Sequence, residues 1–221
     1  MELWPGIHSL DASRVSNAYL VMGPPITLID TCPPGALPRL LAAIEKAGVR
    51  PARLERIVLT HCDVDHIGNA YHLSLVADVE ICAHEADVPY ITGARHFPGP
   101  AMRHAIELTW GRALTRPRVD RVLHDGDDLD GLAVVHLPGH TPGHIGLRHE
   151  SVLFAGDALF GGRKLRPSPA ILTWSKERER ASIARVGTLP IDLVLPGHGT
   201  PINDGARRAA ALDPYRSIVG P

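Results

Sequence analysis

Between residues 57 and 66 the chain reads I-V-L-T-H-C-D-V-D-H, an apolar run followed at once by His61, Asp63, Asp65 and His66. Ile57-Val58-Leu59 suits a strand, so the four polar side chains fall at its C-terminal end, where the chain turns into a loop. Two imidazoles and two carboxylates so close together suit zinc, iron or manganese. A polar loop without function can also hold four such residues. The recurrence of the pattern argues against that reading. L-A-V-V-H-L leads to His140, S-V-L-F-A to Asp157 and D-L-V-L to His198, with a glycine directly before each. Glycine lets the backbone bend sharply and approach a buried site closely.

The elements around these points alternate. Residues 15–22 and 26–30 read as two strands joined at Gly23-Pro24-Pro25, which forbids helix. Leu37, Leu40, Leu41, Ile44 and Ala47 follow at helical spacing, with Gly48 as the stop. A strand over 56–60 enters the opening cluster, a helix is expected from Gly68 to about Val76, and V-E-I-C-A at 79–83 is strand-like. Residues 119–124 and 132–137 read as neighbouring strands around D-G-D-D-L-D-G. A hairpin is expected over 145–155, a polar helix over 176–187, a strand over 192–195 and a last helix over about 204–212. The class is α/β.

Residues 85–118 interrupt this rhythm with Pro89, Gly93, Pro98, Gly99, Pro100 and Pro117, while 102–114 suits a helix. A long insertion beside a site often serves as a lid or substrate wall. Tyr90, Phe97 and Trp110 either line a pocket there or pack the insertion down. The 221 residues are expected to form one domain over 1–221. A net charge of −1 without a like-charged block gives no case for nucleic acid, and no apolar run reaches the length of a membrane span. The start, M-E-L-W-P-G, lacks the features of a secretion signal, so a cytoplasmic location is expected. Cys32, Cys62 and Cys82, an odd set without C-x-x-C, argue against a disulfide framework or zinc ribbon. Cys62 reads as a buried thiol beside the ligands, and His84 and His136 as neighbours without a direct role.

The order of these residues resembles the metallo-β-lactamase fold superfamily over nearly the whole chain. Its pattern is H-x-H-x-D-H, a later histidine, a bridging aspartate and a last histidine. The resemblance implies an αβ/βα four-layer sandwich, two mixed β-sheets flanked by helices, with a two-metal site at one edge. It implies that His61, Asp63 and His140 bind one ion, that Asp65, His66 and His198 bind the other, and that Asp157 bridges. Asp30 corresponds to an aspartate that supports a ligand histidine. His144, in G-H-T-P-G-H, reads as a buried structural histidine, and Thr60 and Thr141 as partners of ligands.

Asp63 departs from the family, which usually has histidine there. Asp63, Asp65, Asp157 and a bridging hydroxide balance two divalent ions, where the usual pattern leaves one positive charge. A weaker Lewis acid and more tolerance for manganese or iron follow, with two zinc ions the first expectation. The implied function is a binuclear hydrolase in which a metal-bridging hydroxide attacks an ester, thioester, lactone or phosphoester. Asp65 acts as the catalytic carboxylate that orients the nucleophile or carries its proton.

G-D-A-L-F at 156–160 is similar to glyoxalase II-like thioesterases, but their added helical region is not expected in the residues after His198. Lactonases of the family place tyrosine where Phe160 stands. The alternative is a non-haem iron redox protein of the same fold, di-iron or sulfur-oxidising, for which Asp63 argues. The expected partner is a small-molecule substrate, and a homodimer is the favoured assembly. Lys164 and Arg166 are cations that would suit an anionic substrate or remain solvated.

Overall fold

The computed structural model describes residues 1–97 and 100–203, the side chains of His104 and Glu107 excepted, so the helix expected over 204–212 lies outside the described residues. The chain divides into two compact units, residues 1–97 with 104–123, and 98–103 with 124 onward.

The first unit holds β1 (Glu2–Trp4), β2 (Ile7–Leu10), β3 (Ala18–Val21), β4 (Thr27–Ile29), α1 (Leu37–Lys46) and β5 (Arg56–Leu59). After these come α2 (Val64–Ile67), α3 (Ala70–Leu73), β6 (Glu80–His84), α4 (Val88–Ile91), most of α5 (Ala101–Trp110) and β7 (Arg121–Leu123). Its strands form one seven-stranded mixed sheet in sequence order. Tight turns make β1 to β4 antiparallel, and helical crossovers make β4 to β7 parallel. β5 is buried at all four positions, as a central parallel strand should be. α1 carries a proline in its first turn, buries Leu40 and Ile44 one turn apart, and stops before Gly48 at φ +92°. The hairpin β1–β2 was not expected: strands of three and four residues are too short to show a period.

The helix expected over 68–76 is a single turn, α3, and another turn, α2, stands before it, beginning inside the ligand motif at Val64. The break has a packing cause. A Cβ on Gly68 would sit 2.4 Å from the Pro34 nitrogen and 2.5 Å from the Cys32 oxygen. Beside it, Asn69 Nδ2 donates to the carbonyls of Thr31, Cys32 and Pro33 at 2.6, 3.3 and 2.9 Å. These bonds hold the motif against the loop after β4.

The second unit holds β8 (Ala133–His136), β9 (Ile145–His149), β10 (Val152–Gly156), α6 (Lys176–Thr188) and β11 (Leu193–Pro196). They form a mixed sheet in the order β11-β10-β9-β8, with β10 and β11 parallel and the rest antiparallel. Val135, Leu137, Leu153, Ile183, Val186 and Val194 are among its core. Residues 119–124 and 132–137 are not neighbouring strands, because β7 pairs with β6 and β8 with β9. Residues 126–134 close on themselves instead. Gly126 N–H donates to Val134 O at 2.9 Å and Leu129 N–H to Leu132 O at 3.0 Å, around an isolated bridge between Asp128 and Ala133. The fold is thus α/β with two mixed sheets and accompanying helices. No helix among the described residues is long and apolar enough to cross a membrane.

Candidate metal centre

In the first unit the ligand candidates stand on the few residues after β5. Asp63 is the N-cap of α2, a position where aspartate usually accepts a helix N–H, but its side chain makes no capping bond. Its Oδ2 lies 3.6 Å from His61 Nε2 instead, and Asp65 Oδ2 lies 3.7 Å from His66 Nε2. Both imidazoles are buried. Asp30, Ser16 and Thr31 fix the frame: Ser16 Oγ donates to Asp65 O at 2.6 Å and Thr31 Oγ1 to His66 O at 2.8 Å.

One carboxylate sets both histidines. Asp30, buried and at φ +58°, accepts from Thr60 N–H and from Thr60 Oγ1, each at 2.8 Å, and lies 2.8 Å from His66 Nδ1. A carboxylate accepts only, so His66 carries its proton on Nδ1. Thr60 spends its hydroxyl proton on Asp30 and therefore accepts from His61 Nδ1 at 2.9 Å. Both rings thus present Nε2 with its lone pair. Asp30, His61 and His66 offer ligand atoms within 4.8 Å of one another, but Asp30 works through Nδ1, behind the rings. Orienting partners of this kind raise ligand basicity and fix ring position.

In the second unit three strand ends contribute. Asp157, after β10, lies with Oδ2 3.1 Å from His198 Nε2 and 3.5 Å from His140 Nε2. Its backbone N–H donates to His144 Nε2 at 2.8 Å, so the buried His144 uses that lone pair to place Asp157. Phe160 stacks on His198 with centroids 4.7 Å apart. Gly139, at φ +146°, passes so close to α6 that a Cβ there would meet the Glu179 backbone at 2.4 Å. Gly156 is also left-handed at φ +48°, whereas Gly197 is not among the positive-φ glycines.

His140 has partners that the sequence did not disclose. Ser168 Oγ lies 2.7 Å from its Nδ1. Arg103 Nη1 lies 3.3 Å from its Nε2 and donates to the carbonyls of His140 at 3.1 Å and Leu172 at 2.7 Å. A guanidinium only donates, so Nδ1 bears the proton and gives it to Ser168. Lys176 Nζ, paired with the buried Glu179 at 2.6 Å, donates to Ser168 O and steadies that segment. Ser168 lies in a stretch with no recognisable pattern, and Arg103 in the irregular insertion.

The remaining expected residues have other duties. Cys62 is buried, and its N–H donates to the buried Asp87 at 3.0 Å. Burial, and then the Asp30 charge, push the Cys32 thiol up to about 12; burial, and then Glu80, do the same for Cys82. Neither stands in a candidate ligand cluster among the described residues. His84 accepts from Ala86 N–H, and His136 Nε2 lies 2.9 Å from Pro142 O. Tyr90 and Phe97 pack edge to face at 5.2 Å, while Trp110 is exposed.

The donor chemistry fits divalent ions. His61, His66 and His140 are each held at Nδ1 and turn Nε2 towards a carboxylate of the same unit. Nitrogen and oxygen donors without thiolate suit zinc, manganese or iron.

Comparison with known proteins agrees. The family model described as the metallo-beta-lactamase superfamily matches residues 13–198. The probable metallo-hydrolase YflN of Bacillus subtilis is 28% identical over 225 residues, covering 89% of this chain and 85% of its own. TTHA1429, a metallo-beta-lactamase family protein of Thermus thermophilus, matches with a TM-score of 0.74 at 25% identity, covering 98% of this chain and 81% of its own. TTHA1623, solved in a di-iron-bound form, matches with a TM-score of 0.69 at 31% identity, covering 85% and 89%.

Proposed function

The chain belongs to the metallo-beta-lactamase superfamily and is a metal-dependent hydrolase, and we propose that it works with two divalent ions on a small-molecule ester, thioester, lactone or phosphoester in the cytoplasm. His61, Asp63 and His140 hold one ion, Asp65, His66 and His198 the other, and Asp157 serves both. The observation that carries this is the repeated arrangement in both units: a histidine fixed from behind at Nδ1, with Nε2 turned to an aspartate. When bound, the ions supply an acidified water near neutral pH and a Lewis acid for the acyl or phosphoryl oxygen.

The chain's own residues set the conditions. Asp30 and Thr60 keep the protons of His66 and His61 on Nδ1, so neither ring can turn or bind through the wrong nitrogen. His144 fixes the backbone nitrogen of Asp157 and thereby the start of its side chain. Asp65 is only partly buried, so its carboxylate orients the attacking water and takes its proton. Phe160 covers one face of His198 and keeps water from it. The extra negative charge of Asp63 favours manganese or iron more than a histidine would, with zinc first. The di-iron form of TTHA1623 makes iron redox chemistry the competing reading.

Metal analysis of protein purified without added metal, followed by reconstitution and assay on chromogenic esters, thioesters, lactones and phosphodiesters, separates the two. Metal-dependent turnover of one class, abolished by chelator, is expected. An iron-loaded, oxygen-reactive protein that hydrolyses none of them overturns the hydrolase reading. Asp63→His should shift preference towards zinc; unchanged occupancy and preference would remove Asp63 from the ligand set.

A further inference from the structure

A cation faces the coordinating nitrogen of His140. His61 Nε2 and His66 Nε2 face carboxylates, at 3.6 and 3.7 Å. His140 Nε2 faces Asp157 at 3.5 Å, but also Arg103 Nη1 at 3.3 Å. Arg103 is 7% exposed, and its Nη1 is anchored by two backbone carbonyls that belong to different segments, His140 and Leu172. Both carbonyls are themselves in fixed turns, since Trp174 N–H donates to His140 O at 3.1 Å and Leu172 N–H to Pro169 O at 2.9 Å. The guanidinium is therefore a built feature of this imidazole's surroundings. Arginine keeps its charge throughout the working pH range.

An imidazole nitrogen has one lone pair. Arg103 Nη1 has two hydrogens for three acceptors, so it shares one between a carbonyl and the lone pair that a divalent ion would need, and the Nδ1 side is already committed to Ser168. The backing also differs. His66 leans on the carboxylate of Asp30, which raises its basicity, whereas His140 leans on a neutral hydroxyl. We propose that Arg103 is a positioning residue that competes with the divalent ion for His140 Nε2, making the His140 metal position the weaker of the two and exchangeable with metal supply. The proposal rests on the two-metal reading above. Arg103 keeps its two carbonyl bonds in either state and gives up only its contact with the ring. The charge left beside the ion then lowers affinity without touching the other ligands.

Calorimetric titration of metal-stripped protein with zinc tests this, comparing wild type with R103Q and R103K. Glutamine can still donate to a carbonyl but has no charge; lysine keeps the charge. The wild type is expected to bind in two unequal steps. R103Q should tighten the weaker step by about tenfold or more, as loss of a unit charge next to a divalent ion implies, and R103K should stay within about threefold of wild type. An unchanged or weakened step in folded R103Q overturns the proposal, as does equal tightening in R103K. Should R103Q fail to fold, side-chain nitrogen NMR of the wild type decides. The guanidinium signal missing from R103K must shift on adding zinc, and its constancy overturns the proposal. Equal zinc uptake by wild type and R103Q removes this inference alone; no uptake by either removes the two-metal reading with it.

Discussion

Residues 60–69 and residues 139–198 hold their ligand candidates in opposite ways. The first packs four candidates into one strand end and a helical turn, and a single buried carboxylate, Asp30, controls both its histidines. The second gathers three candidates from three strand ends, each with its own support: Ser168 for His140, His144 for Asp157 and Phe160 for His198. A compact motif can be governed by one charge, because its members are neighbours in the chain. A dispersed one needs a separate support for each member, and those supports come from wherever the fold brings them.

The contrast can be broken at the backbone first. Gly139→Ala should cost roughly 3 kcal/mol of stability or more, because the added Cβ meets the Glu179 backbone at 2.4 Å and φ is +146°. Gly68→Ala meets the Pro33-Pro34 backbone at similar distance but without a left-handed φ, so about 1–3 kcal/mol is expected. Chemical denaturation of metal-free protein checks both, and a neutral Gly139→Ala would mean that the His140 turn is not held against α6 as described.

The supports are sharpened next by zinc affinity. Asp30→Asn should weaken binding by about a hundredfold, since it removes a charged partner of His66 and the acceptor that sets Thr60, whereas Ser168→Ala should weaken it by about tenfold. Competition with a chromogenic chelator measures each. Equal losses would show that one carboxylate does not govern the first half.

This contrast also explains what could be read from the sequence. T-H-C-D-V-D-H and the Gly-His and Gly-Asp strand ends were legible, since each candidate follows its own strand in the chain, whereas Asp30 as a support came from the family resemblance alone. The interruption of the helix at Gly68 was not. It depends on the backbone of Cys32, Pro33 and Pro34 lying where a Cβ would be, a contact between segments some 35 residues apart in sequence. The separation of β7 and β8 was missed because residues 126–134 pair internally, and short polar turns do not announce which strand they accompany. Ser168 and Arg103 were invisible for the same reason. A hydroxyl or a guanidinium becomes a ligand's partner only through folding, and neither leaves a spacing to recognise.

The central claim is that Asp157 serves two ions at once, and metal content per chain tests it most directly. Wild type and Asp157→Asn, each saturated with zinc and freed of excess, are measured by mass spectrometry of the metal against protein concentration, with circular dichroism as a check of fold. The account predicts two zinc ions in the wild type and no more than one in the folded variant. A wild type that never exceeds one, or a variant that retains two, contradicts it.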